Sequence, residues 1–400
     1  MRLPVYLDYN ATTPVAPEVV EAILPFLREQ FGNPSSSHIY GQRAMEAVAE
    51  ARAQVAALLG AMPEEIVFTG SATEANNLAL LGVARALSGK KRHLVTSAIE
   101  HPAVQQPLQR LREDGWELTV VPVDGDGRVD PDAVRRALRH DTALVSVMHA
   151  NNEIGTIQPI AEISAITRQA GILLHTDAAQ TAGKIAVAVN DLGVDLLTLA
   201  GHKFYATKGV GVLYVRRGTP IAPVLAGAEQ EHGLRPGTEC VPLVVGMGAA
   251  ARLARERLPE TQSHLRRMRD QLHQLLQRNV PDLHLNGHLS ERLPNTLHVS
   301  FPGVSGNELL QIAGADVAAS VGSACHAGTT ELSGVLAAMG VGPIVAAGAV
   351  RLSVGVPTTE DEIKHAAAAL STAWLRLRQT SSGQAFPTNH TPSPGPREDQ

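Results

Sequence analysis

Residues Leu196–Val215, which read LLTLAGHKFYATKGVGVLYV, decide the fold predicted for this chain. The apolar runs Leu196–Leu199 and Gly211–Val215 predict two buried strands. A crossover between parallel strands needs a dozen or more residues, so the short loop between these runs favours an antiparallel pair. Lys203 lies in that loop, just past the end of the first strand.

Similar apolar runs recur upstream of this pair and alternate with amphipathic or alanine-rich stretches. Five further strands are predicted at Ile66–Thr69, His93–Thr96, Leu118–Pro122, Ala143–Met148 and Ile172–Thr176. Helices are predicted between most of them, at Glu74–Leu87, Ala103–Glu113, Ala133–Arg139 and Ile160–Ala170. This alternation predicts an α/β fold with a mostly parallel seven-stranded sheet that is covered on both faces.

The pattern changes after about Val241, where longer charged helices begin. A helix at Glu260–Arg278 is followed by strands at Thr296–Ser300 and Val350–Val354 and by a closing helix at Glu360–Arg378. We interpret this part as a smaller α+β domain. The expected divisions are a large domain at 13–255, a small domain at 1–12 and 256–378, and a disordered tail at 379–400 that is rich in Ser, Thr, Pro and Gly.

Composition excludes several classes of protein. The 400 residues are 44% hydrophobic and 18% charged, with a formal net charge of -5. No basic stripe indicates nucleic acid, and no apolar run reaches membrane-spanning length. The two cysteines exclude a disulfide framework and a cysteine-rich zinc site, so no metal site is predicted. The start of the chain has no apolar secretory segment, and the expected compartment is the cytoplasm.

Two strand ends carry residues that suit one cofactor. Lys203 follows one buried strand, and Asp177, in Leu174–Gln180, ends another. A desolvated lysine suits Schiff-base chemistry, and an aspartate beside a pyridine nitrogen is the further requirement of pyridoxal phosphate. Gln180 is placed to bond the phenolic oxygen of that cofactor. Taken alone, Lys203 is more often a lysine whose stem lies along apolar surface.

Four other positions are candidates, each with a plainer alternative. Ser71 and Glu74 have capping-box spacing at the start of a helix, which predicts an anion site for the cofactor phosphate, although many helices carry this box. His101 is a candidate to stack on the pyridine ring, or is structural. Asn152 is a polar residue at a strand end, or part of a turn. Arg351 interrupts an apolar strand and would bind a substrate carboxylate or form an internal salt bridge.

Cys325 lies among small residues and glycines in Ser320–Gly328, with His326 next to it. Buried structural cysteines usually lie in apolar runs, so this loop favours an accessible thiol. A thiol is reactive as its thiolate, and His326 is the nearest residue that would promote ionisation. The alternative is an incidental surface cysteine.

These landmarks, in this order, resemble the class V aminotransferase-like family, specifically cysteine desulfurases of the iron–sulfur and nitrogen-fixation type and the related selenocysteine lyases. The resemblance runs from Leu7 to about Arg378 and implies a pyridoxal-phosphate enzyme of fold type I. Besides the Cys325 loop, the matching stretches are Leu7–Pro14, Phe31–Ser36, Ala150–Gly155, Gly201–Lys203 and Arg235–Glu239.

The resemblance also implies a role for each residue. Lys203 would bind the cofactor, Asp177 its ring nitrogen and Gln180 its phenolic oxygen, while His101 would stack on the ring. The residues that would bind the cofactor phosphate are Ala72, Thr73, His202 and, from the other subunit of a homodimer, Thr238. The substrate would be bound by Asn33, Asn152 and Arg351. Cys325 would capture the sulfur. The sulfur would pass from Cys325 as a persulfide to an acceptor or scaffold protein.

The chain departs from the family at several places. Ala200 stands where desulfurases often have serine, and Val356 where arginine is frequent. The glycine-rich turns are altered at Ala226–Ala228 and Ala206–Gly209. Ala200 and Cys325-His326 are more similar to selenocysteine lyase. The resemblance as a whole still implies conversion of L-cysteine to L-alanine, with L-selenocysteine as the alternative substrate. An aminotransferase and an inert sulfur-carrier partner are further alternatives.

Overall fold

The two strands on either side of Lys203 are antiparallel neighbours within one large sheet. In the computed structural model, which describes residues 3–322 and 333–382, this sheet has seven strands in the order β2-β8-β7-β6-β5-β3-β4. Only β8 runs against its neighbours, as the short loop predicted. The strands of the described residues are β1 (Val5–Tyr6), β2 (Ile66–Thr69), β3 (His93–Ser97), β4 (Glu117–Val121), β5 (Thr142–Ser146), β6 (Leu173–Asp177), β7 (Leu196–Ala200), β8 (Gly211–Val215), β9 (His284–Leu285), β10 (Thr296–Ser300), β11 (Val317–Ala318) and β12 (Ala349–Ser353).

Helices cover both faces of the large sheet. Successive residues of each strand point to opposite faces, so Leu144 and Val145 enter different cores, as do Leu196 and Leu197. The helices of the described residues are α1 (Pro17–Arg28), α2 (Ile39–Leu59), α3 (Ala72–Leu87), α4 (Pro102–Glu113), α5 (Pro131–Ala137), α6 (Ile160–Gln169), α7 (Val189–Leu192), α8 (Val241–Glu256), α9 (Leu258–Asn279), α10 (Gly306–Ala313), α11 (Gly334–Ala338), α12 (Pro343–Ala347) and α13 (Glu360–Ser382). None of them has the length and apolar character needed to cross a membrane.

A third core lies between α9, α13 and a three-stranded antiparallel sheet of order β12-β10-β9. The N-terminal segment joins it, because β1 pairs with β11 and Leu7 is fully buried there. We propose that the two cores of the large sheet belong to the predicted large domain, 13–255. The third core would belong to the predicted small domain, 1–12 and 256–378.

Among the differences from the predicted elements, two concern long helices. The closing helix continues to Ser382, four residues beyond the predicted end at Arg378, and Thr380 bonds back to the carbonyl of Arg376 at 2.8 Å. Residues 383–400 of the predicted tail lie outside the described residues. Helices α2 and α8 were not predicted, and small residues bring them together: a Cβ added to Gly248 would lie 2.5 Å from the Cα of Ala51.

Candidate active site

Lys203 lies one short turn after β7, at the carboxyl edge of the large sheet. Its Nζ donates to the backbone carbonyl oxygens of Asn10, at 2.7 Å, and Ala11, at 2.8 Å. Those carbonyls belong to the segment that follows β1, so the N-terminus of the chain passes directly over the lysine. The carboxyl edge of an open α/β sheet is where ligands bind, and the structure places the lysine there.

Asp177 ends β6, the strand next to β7, and its carboxylate is buried. It accepts hydrogen bonds from the backbone N–H of Ala179 at 2.9 Å and from Nδ2 of Asn76 at 2.7 Å. Both of these donors are neutral groups. Because a buried anion is stabilised by a cationic partner, this carboxylate suits a ligand that brings a protonated ring nitrogen.

His101 caps the start of α4, and its Nδ1 accepts a hydrogen bond from the backbone N–H of Ala103 at 3.1 Å. Burial lowers the pKa of this imidazole, Asp177 acts in the opposite direction and Lys203 lowers the pKa further. Both charges are therefore close enough to act on the ring. Since Nδ1 accepts, the neutral imidazole carries its proton on Nε2.

The first turn of α3 has the capping geometry on which the predicted anion site depends. Ser71 accepts from the backbone N–H of Glu74 at 3.1 Å, and Ala72 and Thr73 begin the helix. This turn lies against the end of the β7–β8 pair, because a Cβ added to Gly211 would come within 2.4 Å of the Ser71 backbone. The exposed N–H groups of such a turn attract an anion.

His202 lies beside Lys203 on the same short turn. Its Nδ1 is 3.2 Å from Oγ1 of Thr12. Burial lowers the pKa of His202 to about 4, and the cations Lys203 and Lys208 lower it as well. The ring is therefore neutral at physiological pH, and it would meet a phosphate as a hydrogen-bonding group.

Arg351 forms the internal salt bridge that was one of its two predicted roles. Its Nη2 lies 2.7 Å from Oδ1 of Asp8, and its Nη1 donates to the backbone carbonyl of Asn152 at 3.1 Å. The side chain is buried, and Nε has no hydrogen-bond partner in the described part of the chain. The salt bridge therefore leaves the Nε–H and one N–H on each of Nη1 and Nη2 for another acceptor.

Two predicted site residues form no hydrogen bond with this cluster among the described residues. Thr238 and Asn33 are exposed, and Oδ1 of Asn33 accepts from the backbone N–H of Ser35 at 2.9 Å. Cys325 and His326 lie outside the described residues.

Asn10 and Asn76 are site residues that sequence reasoning missed. The Asn10 carbonyl accepts from Lys203 and also from Nε2 of Gln180 at 3.0 Å, and Nδ2 of Asn10 donates to the Asn152 carbonyl at 3.1 Å. The Leu7–Pro14 landmark was a signal for Asn10. For Asn76 the signal was its place in the first two turns of α3.

Glu100, which precedes His101, is fully buried. Ser97 Oγ, at 2.5 Å, and the backbone N–H of Met148, at 2.9 Å, both donate to its Oε1, and its Oε2 has no partner among the described residues. Burial raises the pKa of this carboxyl from 4.5 to about 8, with a smaller contribution from Asp177. Glu100 is therefore protonated at neutral pH.

Replacing Glu100 with Gln should remove a pH dependence of stability. The pKa of Glu100 is higher in the folded than in the unfolded chain, so the wild-type free energy of unfolding falls as pH rises from about 4.5 to about 8. At pH 8.5 we expect Glu100→Gln to be more stable than the wild type by about 2–4 kcal/mol, and near pH 4.5 we expect equal stability. Denaturant unfolding at both pH values measures this, with the exposed Glu64→Gln as control. A stability difference that does not change with pH would contradict the assignment.

Comparison with known proteins gives consistent matches over nearly the whole chain. The family model described as "Aminotransferase class-V" matches residues 5–365. A curated relative from Dictyoglomus turgidum (strain DSM 6724 / Z-1310), named "Cysteine desulfurase IscS", is 46% identical over 384 residues, which are 95% of this chain and 97% of the relative.

Two solved structures are similar as well. One, described as "NIFS-LIKE PROTEIN", has a TM-score of 0.88 and 39% identity and covers 94% of this chain and 100% of its own. Another, described as "SspA in complex with cysteine", has a TM-score of 0.79 and 36% identity and covers 88% of this chain and 98% of its own.

Proposed function

The chain belongs to the class V aminotransferase family and is a cysteine desulfurase, and from this premise we propose how its residues bind pyridoxal phosphate and L-cysteine and capture the sulfur. The observation that carries the proposal is that a lysine, Lys203, and a buried carboxylate, Asp177, whose two hydrogen-bond donors are neutral, follow the carboxyl ends of neighbouring strands.

The residues present fit the cofactor. Pyridoxal phosphate supplies an aldehyde that condenses with amines and a ring that takes up the electrons released at the substrate Cα. Lys203 would hold the aldehyde end, Asp177 the protonated ring nitrogen and Gln180 the phenolic oxygen. The first turn of α3, with Ala72 and Thr73, and the neutral His202 suit the phosphate.

Proton transfer falls to Lys203 and His101. Lys203 is the amine that removes the proton from the substrate Cα, and its two carbonyl acceptors keep Nζ at the sheet edge while it is not bonded to the cofactor. His101 carries its proton on Nε2 and would stack on the ring. We assign it the movement of protons to and from the substrate.

Arg351 and Asn152 would orient the substrate, and Asn33 would be a further contact. Asp8 and the Asn152 carbonyl each accept one hydrogen bond from the Arg351 guanidinium and so orient it. An amino-acid carboxylate would accept from the N–H groups that remain and compete with Asp8, because charge-assisted hydrogen bonds favour an ionised acceptor.

Sulfur capture falls to Cys325. Its thiolate attacks the sulfur of the substrate, the substrate Cβ–S bond breaks, and the electron pair of that bond stays on the carbon skeleton. Protonation of that skeleton gives L-alanine, and the sulfur remains as a Cys325 persulfide. The persulfide then passes to an acceptor protein, for which we propose a component of iron–sulfur cluster assembly. Selenocysteine lyase is the less favoured reading, because the curated relative is named for cysteine.

We also propose that the enzyme is a homodimer in which Thr238 reaches the cofactor phosphate of the partner subunit. Thr238 is exposed in this chain, as that role requires. Phe31 and Tyr40 are exposed rings that stack with centroids 5.4 Å apart. An exposed aromatic patch of this kind supports a surface that a second subunit would cover.

The test compares the wild type with Cys325→Ser, using the exposed Cys240→Ser as a matched control. With L-cysteine and excess reductant, the wild type and Cys240→Ser should form alanine at equal rates, and intact mass should show one added sulfur on Cys325 before the reductant is added. Cys325→Ser should lose about 10²-fold or more in alanine formation, because the nucleophile is gone. Full alanine formation by Cys325→Ser would contradict the proposed capture of sulfur by this thiol.

A further inference from the structure

Lys184 is a buried lysine without a carboxylate partner in the described part of the chain. It lies seven residues after Asp177 along the chain, and only 5% of its surface is exposed. Its Nζ donates one hydrogen bond, to Oε1 of Gln180 at 2.9 Å. Burial lowers the pKa of Lys184 to about 7, and the cations Lys203 and Arg351 lower it further. Placing an amine here costs free energy of desolvation, and the reaction assigned above does not use it.

The hydrogen bond from Lys184 fixes the direction of the Gln180 amide. A lysine amine with its protons toward Oε1 makes that atom an acceptor, and a backbone carbonyl, Asn10 O, accepts from Nε2 at 3.0 Å. Both ends of the amide therefore require the same orientation. A neutral amine also has N–H groups, so the orientation is kept in either charge state of Lys184.

The same Asn10 carbonyl accepts from Lys203 at 2.7 Å. One chain of hydrogen bonds thus runs from Lys184 through Gln180 to the carbonyl that holds Lys203. Gln180 Nε2 retains a second N–H, since an amide nitrogen carries two and one is used on Asn10.

We infer that Lys184 is a positioning residue that keeps the NH2 end of Gln180 toward the phenolic oxygen of the cofactor and, in its protonated form, adds a cation near Lys203. The inference rests on the proposed binding of pyridoxal phosphate. A donor to the phenolic oxygen and a nearby cation both disfavour protonation of the nitrogen that would join Lys203 to the cofactor, and so both lower its pKa. The charges that act on Lys184 are Lys203 and Arg351, the second of which is paired with Asp8.

The test is the pKa of the bound cofactor, read from the pH dependence of its absorbance in the holoenzyme. Lys184→Met should raise that pKa by about one unit, roughly tenfold in proton affinity, because the donor and the cation are both lost. Lys184→Gln, which keeps an N–H donor without charge, should fall between Lys184→Met and the wild type. The control is Lys208→Met, which removes an exposed cation from the loop of Lys203 and should leave the pKa within about 0.3 unit.

The outcomes separate the two proposals. If the wild type gains no cofactor absorbance with added pyridoxal phosphate, the proposed function and this inference both fail. If the wild type titrates and Lys184→Met titrates at the same pH, only the inference fails. Lys184→Met should fold, because it removes the cost of burying an amine; if it does not, a wild-type pKa in Lys184→Gln overturns the inference.

Discussion

Lys203→Ala should lose about 10³-fold or more in alanine formation from L-cysteine. The variant lacks the amine that would hold the cofactor aldehyde and remove the Cα proton, and proton transfer by a positioned group accounts for about 10²–10⁴-fold on its own. Steady-state assays of alanine measure the loss. Borohydride reduction followed by intact-mass analysis tests the attachment separately: wild type should retain the cofactor covalently and Lys203→Ala should not.

Lys208→Ala is the matched control for Lys203→Ala. It removes an exposed lysine five residues along the same loop, and we expect its activity to stay within about twofold of the wild type. The Lys203 hydrogen bonds to Asn10 and Ala11 are also lost in Lys203→Ala, so the melting temperature of each variant should be recorded. A folded Lys203→Ala protein with more than about a tenth of wild-type activity would contradict the assignment.

The large sheet was predictable because its central strands are buried on both faces. Such strands are continuous apolar runs, and β2 and β8 have the predicted bounds. The bounds of β3–β7 differ from the predicted bounds by one or two residues. The helices α2 and α8 escaped prediction because their contact depends on small residues such as Gly248 and Ala51, which carry weak hydrophobic periodicity.

The site residues that follow the ends of strands could be predicted from the sequence. The contacts between residues far apart in the chain could not. Lys203 and Asp177 follow apolar runs, and parallel strands bring such positions to one edge. The partner of Lys203 is a backbone carbonyl 193 residues away, at Asn10, and that of Arg351 is Asp8, 343 residues away. A local sequence pattern does not identify a partner so far along the chain, so these contacts required the tertiary structure.

Asp177→Asn should lower the rate of alanine formation by about 10²–10⁴-fold while the variant still binds pyridoxal phosphate. The amide occupies the same volume and still accepts from the backbone N–H of Ala179. It carries no charge, however, and so does not hold a proton on the ring nitrogen, which removes much of the capacity of the ring to take up electrons. Cofactor binding by absorbance and initial rates of alanine formation measure the two properties separately.

Asp195→Asn is the control that distinguishes a catalytic carboxylate from a structural one. Asp195 precedes β7 at the opposite edge of the sheet, and it too accepts from a backbone N–H, that of Leu174 at 2.8 Å. Its replacement removes the charge of a partly buried aspartate on a neighbouring strand without touching the site, so its rate should remain within about twofold of the wild type. Equal rate losses in Asp177→Asn and Asp195→Asn would mean that Asp177 acts through stability of the sheet. Retention of the wild-type rate by Asp177→Asn would remove the ring-nitrogen role altogether.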